Sequence, residues 1–421
     1  MHAIARPDDT VPMPSNGALD STFALFADPY RFIGRRCRRL GSDVFEATLM
    51  MQRMICMTGA AAAEVFYDAN RFQREGAAPE PLRATLFGTR SVQTLDDAPH
   101  WSRKALFVQV LNAERIDALA RAVRGEWDAL AARVPAGAAM PLYAAAQEVF
   151  TRAACSWAGV PLPEADVARR TARLVAMFDD AARGPLAHLH ARRSRVHAEW
   201  WVSREIARVR AHAGDSGAGT VLEIVATHRD GAGRLLPLEV AAVELLNLLR
   251  PTVAISVFVM FAAHALQFEA GARAALLGGD LARRSSFIDE VRRHYPFFPA
   301  LIAQVRESFT WRGMAFPRGR RVLLDIYGTN HDPRIWARPD DFDPDRFLHR
   351  TPTPFEFIPQ GGATVATGHR CPGEAVTRAV MGETLEFLLH RARLDAAAPD
   401  PRIDMGRIPA LPRAALMVSA R

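Results

Sequence analysis

Apolar and polar positions change their spacing along the chain in a way that divides it into regions. Near the N-terminus, "DVFEATLM" at 43–50 has the short alternation of a strand. From about 57 to 310 apolar residues recur at helical spacing. This holds for "GAAAAEVFYD" (59–68), for the long stretch 103–134, and for "ARRSRVHAEWWVSREIARVRAHA" (191–213). Glycine-bearing polar segments at 214–219 and 229–237 read as loops between them. From 311 the pattern becomes strand, turn, strand in "WRGMAFPRGRRVLLDIYGTN". A Pro/Asp-rich irregular segment (331–347) and a glycine-rich loop follow, and then a helix over 374–393. The expected fold class is mainly α with a minor β part. Residues 1–20 form a loose N-terminal segment and 21–421 a single domain, because no boundary, linker or repeat interrupts the latter.

One helix breaks the amphipathic rule. "LLNLLRPTVAISVFVMFAAHAL" (245–266), within a helix expected to begin near Pro237, is apolar all round yet contains Arg250 and Pro251 side by side. Proline removes a backbone donor and crowds the carbonyl four residues back, at a cost of roughly 3 kcal/mol. A guanidinium among leucines requires an anion to meet it. The longest apolar run, 253–266, is short for a membrane span. The N-terminus has no stretch resembling a signal peptide. The expectation is a cytoplasmic protein without a membrane anchor.

Composition changes this picture little. The formal charge is +7, but Lys104 is the only lysine. Arginine used so uniformly points to compositional bias, so nucleic acid is not expected as a partner, even at the basic run 31–41. Cys37, Cys56, Cys155 and Cys371 form no CxxC pair. Three of them read as buried thiols.

Cys371 differs. It sits before Pro372, a residue suited to a first helical position, in "GHRCPGEAV". A sulfur there meets backbone N–H groups and the positive end of a helix dipole. The glycines at 361, 362, 368 and 373 allow close backbone approach to a flat, bulky group. Upstream, Glu290 and Arg293 share one helix face ahead of "HYPFFP".

Glu290-x-x-Arg293, then "FDPDRF" (342–347), then Gly368 to Gly373, in that order, resembles the cytochrome P450 family over most of the chain, about 40–420. The resemblance implies haem b with Cys371 as axial thiolate ligand, and a buried Glu290–Arg293 ion pair behind it. Ordinary members carry an acid and a threonine at the middle of the long helix. Here Arg250 and Pro251 stand there, and Thr252 is displaced by one residue, about 100° around the helix.

The Arg-Pro pair resembles the fatty-acid peroxygenase branch. So do "REGA" (74–77), "LFG" (86–88), "RRHYPFFP" (292–299), "YGTNHDP" (327–333) and "FIPQGG" (357–362). The resemblance implies hydroxylation of long-chain fatty acids at C2 or C3, driven by hydrogen peroxide, with no obligatory reductase. Arg250 would grip the substrate carboxylate, which would act as the general acid–base, and Pro251 would kink the helix to make room. Gln93 would lie on the distal side of the haem, where alkene-forming decarboxylases often carry histidine. His100, Lys104 and His369 would meet the haem propionates, with Arg103 a weaker choice. Phe297, Phe298 and residues 409–416 would line the substrate side, and Met177 and Phe178 would touch the fatty tail. A decarboxylase on the same scaffold, and a conventional monooxygenase fed by a redox partner, are the alternative readings.

Overall fold

The long apolar helix organises the molecule. In the computed structural model, which describes residues 11–15, 17–135, 137–212, 219–397 and 399–420, it runs unbroken from Leu238 to Phe268 with Pro237 as its N-cap. Nearly every residue in it is buried, which explains why its sequence is apolar on every side. By length and composition it could cross a membrane, but it is the core of this fold. Helices Leu142–Ala158, Val167–Asp179, Pro185–Ala211, Leu281–His294 and Glu374–Glu386 pack around it.

The β part is a five-stranded sheet. Val44–Leu49 and Gln52–Met57 form an antiparallel hairpin, and the second strand pairs in parallel with Arg321–Asp325. Ala300–Val305 then adds antiparallel, and Phe72–Gln73 closes the far edge. The hairpin turns at Met50 and Met51, both at positive φ (50° and 60°) and both exposed. A second sheet joins Met140–Pro141, Leu416–Ala420 and Ala392–Ala396.

Several boundaries differ from the pattern-based expectation. The single helical stretch at 103–134 is two helices, Asp97–Val110 and Ala113–Arg133. Asn112 makes the break, its side chain accepting the Arg115 N–H at 2.9 Å as an N-cap. The C-terminal helix stops at Glu386 instead of 393. A wider turn, Phe387–Arg391, leads into strand Ala392–Ala396, where pairing with Leu416–Ala420 wins over helical propensity. Residues Ile326–Asn330, read as strand, form a short helix capped by Asp325. The loop expected at 214–219 lies outside the described residues except for Gly219, and so does much of the expected loose segment 1–20. Of its described part, Val11 N–H donates to Gly313 O and Pro14 O accepts from Glu46 N–H, both at 2.8 Å.

Cys37, Cys56 and Cys155 are buried and free. Burial raises all three thiol pKa values, that of Cys155 to about 12.

Candidate active site

The loop before Cys371 is built on hydrogen bonds to its own backbone. Cys371 N–H donates to Gln360 O at 3.0 Å, and the Gln360 amide reaches Thr377 Oγ1 at 3.0 Å and the Cys371 sulfur at 4.0 Å. Burial raises the Cys371 thiol pKa, and the Gly373 N–H and the cations Lys104 and Arg292 act against that rise. The helix starts at Glu374 with Gly373 as N-cap, so Pro372 lies outside it and not at its first position. The reason is local: the first backbone bond of the helix runs from Thr377 N–H to Gly373 O. Three of the glycines also have close neighbours within the loop. A Cβ at 361 would meet Tyr67 Oη at 2.9 Å, one at 362 Pro354 O at 2.8 Å, and one at 368 Thr364 O at 2.7 Å. Their freedom serves the close packing of the loop itself.

Glu290 and Arg293 are fully buried and joined by two bonds, at 2.7 and 2.8 Å. Arg293 also donates to the carbonyls of Asn330, Pro339 and Asp341, which fastens its helix to the irregular segment. Arg346, inside "FDPDRF", completes the cluster by placing Nε 3.0 and 3.1 Å from the Glu290 oxygens. The sequence motif alone gave that arginine no role. Neighbouring Arg292 ties the same helix to the cysteine helix through Glu374 and to the loop before Cys371 through Gln360, and is held on its own helix by Asp289.

Arg250 is buried and makes no ion pair among the described residues, and its Nε has no hydrogen-bond partner. Burial and the nearby Arg195 cation lower its pKa to about 9, while Cys371 pulls the other way. Arg250 and Cys371, 121 positions apart in sequence, are thus electrostatic neighbours. Pro251 sits inside a continuous helix, and Thr252 spends its hydroxyl on Leu248 O at 2.9 Å.

The segment Gly88 to Gln93 runs along the face that holds Arg250. A Cβ on Gly88 would lie 2.7 Å from Val243, and the Asn247 amide donates to Gln93 Oε1 at 3.3 Å. Residues 243, 247 and 250 are four and three apart and share a face. Glu244, fully buried, accepts from Val92 N–H and Arg103 at 2.8 Å and from Asn247 at 3.0 Å. Arg103 is therefore held by Glu244. Arg195 reaches across from helix Pro185–Ala211 to the carbonyls of Thr85, Leu86 and Phe87. Sequence reading missed both Asn247 and Arg195, because their partners lie far away in the chain.

His100 and His369 stack with ring centroids 4.1 Å apart, and His369 Nε2 is 3.3 Å from Asp96. Burial lowers their pKa values to about 3 and about 4. Lys104 donates to Gly368 O at 3.0 Å and Arg370 O at 2.6 Å, leaving one of its three N–H groups for another partner. Arg74, which sequence reading did not single out, lies beside them with Nη1 buried and unpartnered.

Phe297 stacks on Phe258 of the long helix at 4.4 Å and meets Phe298 edge-on at 4.5 Å. In the 409–416 segment, Ala410 N–H donates to the Tyr30 hydroxyl at 2.8 Å. Met177 and Phe178 belong to the main core.

These residues fit a haem. Cys371 offers one soft sulfur ligand, and Arg74 Nη1 is the kind of orphaned donor that a propionate at the ring edge would take. Among the described residues no group of three or more His, Cys, Asp or Glu could hold a bare ion, so an iron here needs the ring nitrogens.

The cytochrome P450 family profile matches residues 285–412. Solved structures extend the similarity to the whole chain. Cytochrome P450SP alpha (CYP152B1) in complex with (R)-ibuprofen is 44% identical with a TM-score of 0.92, covering 96% of this chain and 98% of that one. Cytochrome P450EX alpha (CYP152N1) with myristic acid is 40% identical with a TM-score of 0.93, covering 98% and 100%. A point variant of cytochrome P450 OleT in complex with arachidonic acid is 29% identical with a TM-score of 0.93, covering 98% and 99%. Curated relatives match only in part. Protopanaxadiol 6-hydroxylase of Panax ginseng is 32% identical over 123 residues, so the match spans about a quarter (25%) of its length.

Proposed function

Because this chain belongs to the cytochrome P450 family and is similar across its length to CYP152 enzymes, we propose that it hydroxylates long-chain fatty acids at C2 or C3 using hydrogen peroxide. The observation that carries this reading is Arg250, a buried guanidinium beside Cys371 with no anionic partner among the described residues and an orphaned Nε. A cation in that state is costly until an anion arrives. The ligands named for the similar structures, myristic acid, arachidonic acid and ibuprofen, are all carboxylic acids.

Cys371 would hold the haem, which when bound would supply the iron chemistry that activates peroxide. The rest falls to the side chains and the substrate. Arg250 holds the carboxylate through charge-assisted hydrogen bonds, which fixes C2 and C3 nearest the reacting oxygen. The held carboxylate takes a proton from one peroxide oxygen and returns it to the other, the role left open by the missing acid of the long helix. Gln93 is an amide with no titratable proton and is braced by Asn247. That favours hydroxylation over decarboxylation. The apolar long helix and Phe297 keep water from the acyl chain.

The test is turnover of a saturated fatty acid with peroxide and no reductase, with products analysed by mass. The 2- or 3-hydroxy acid is expected. Arg250→Ala should lose most turnover while retaining haem, and in the wild type, but not in Arg250→Ala, an added short carboxylic acid should confer activity toward substrates that lack a carboxylate. Normal fatty-acid turnover by Arg250→Ala, or turnover only with a reductase, refutes the reading.

A further inference from the structure

We propose that the outer face of helix Pro185–Ala211 docks on an anionic phospholipid bilayer surface. Leu186, Leu189, Arg193, Val196, Trp200 and Arg204 recur at steps of three and four, which at helical pitch confines them to an arc of about 80°. The four apolar members are 84%, 44%, 65% and 58% exposed, in chain order. A contiguous stripe of this kind on an outward face marks an interaction surface.

The charges along the stripe decide the partner. Arg193 and Arg204, and Arg173 on the adjoining helix Val167–Asp179, have no carboxylate partner among the described residues. Arg204 lies over the Trp200 ring at 4.9 Å. The acids nearby are already engaged: Glu199 is held by Arg195, Glu205 by Arg208, and Asp166 by Arg169 and Arg170. The two helices enclose an open groove of about 770 Å³ lined in part by Arg169, Arg173, His197 and Trp200. Aliphatic and indole groups interleaved with free guanidiniums match the headgroup region of an anionic bilayer. There the apolar side chains enter the acyl boundary and the arginines meet phosphate. The opposite face of the helix is buried in the core, so the helix lies on the surface and does not span it.

The inference is independent of the catalytic reading, because it is tested without turnover. The haem-loaded full-length protein is floated with vesicles of phosphatidylcholine, alone or mixed with phosphatidylglycerol. Binding is expected only to the mixed vesicles and should weaken as salt is raised. Arg193→Glu with Arg204→Glu, and separately Val196→Ser with Trp200→Ser, should each reduce the bound fraction on the order of tenfold. Arg393→Glu, the same reversal of a single charge at a distant exposed site, should leave it unaltered. Retained haem absorbance shows that the variants are folded. Equal binding to both vesicle types, no binding to either, or an equal loss in Arg393→Glu overturns the proposal.

Discussion

Asn247 and Gln93 are hydrogen-bonded across 154 positions of sequence, and the same Asn247 amide holds Glu244. This couples the loop over the site to the long helix one turn before Arg250. The Glu244 carboxylate sits at the centre of the network, fully buried between Arg103, Val92 N–H and Asn247. Glu244→Ala leaves the Arg103 guanidinium, which is largely buried, without its anion. It should cost about 3–5 kcal/mol in chemical denaturation. Asn247→Leu should cost about 1–3 kcal/mol, since it removes one donor from a buried carboxylate.

Arg195 closes the turn at Arg83–Phe87 by donating to three successive carbonyls. Arg195→Met should lower stability by about 2–4 kcal/mol. It should also raise KM for a long fatty acid more than it lowers kcat, as steady-state kinetics would show. Gly88→Ala tests the same contact from the other side. Its Cβ would fall 2.2 Å from Arg195 Nη2, at a φ of +88° that alanine resists. It should destabilise by at least about 1 kcal/mol.

Arg293→Lys should behave as a severe change despite conserving charge. Lysine cannot make the paired contact to Glu290 while also reaching the carbonyls of Asn330, Pro339 and Asp341. A loss of about 3–5 kcal/mol is expected. Haem absorbance should fall with it, because this cluster fastens the irregular segment to the helix whose Arg292 grips Glu374 of the cysteine helix.

Asp325 gives stability a pH dependence of unusual sign. It caps helix Ile326–Asn330 and accepts from Thr58, yet burial raises its pKa above the ordinary carboxylate range, to about 7. Between the ordinary value and the raised one, the folded state holds more protons than the unfolded one. Its contribution is therefore complete below the unfolded value and declines as pH rises through the window, by about 1.4 kcal/mol per pH unit. Asp325→Asn should remove that decline. The variant should gain on the wild type in urea midpoint from about pH 4 to about pH 7.

Much of the architecture was legible because the strongest signals are local. The all-apolar helix, the strand at 43–50 and the order of the ExxR, FDPDRF and cysteine motifs all survive in the structure. What sequence did not show is pairing at long range. Asn247 resembles any polar residue tolerated in a helix until Gln93 and Glu244 are placed beside it. Arg195 and Arg74 were hidden by a composition in which arginine is everywhere. Helix ends were misjudged where a cap or a strand partner overrode periodicity, as at Asn112 and after Glu386. The glycines near Cys371 show the same limit, since only coordinates reveal which neighbour each one makes room for.

The sulfur chemistry of this chain is distributed in a way that suits its proposed oxidant. Cys37, Cys56 and Cys155 are sealed in the core with thiols that resist ionisation, so they present almost no thiolate for peroxide to attack. Among the described residues, the most exposed thioethers are instead the pair Met50 and Met51, 47% and 85% exposed at the tip of the hairpin. Wear from repeated turnover should therefore accumulate as sulfoxide on a surface turn and spare the interior.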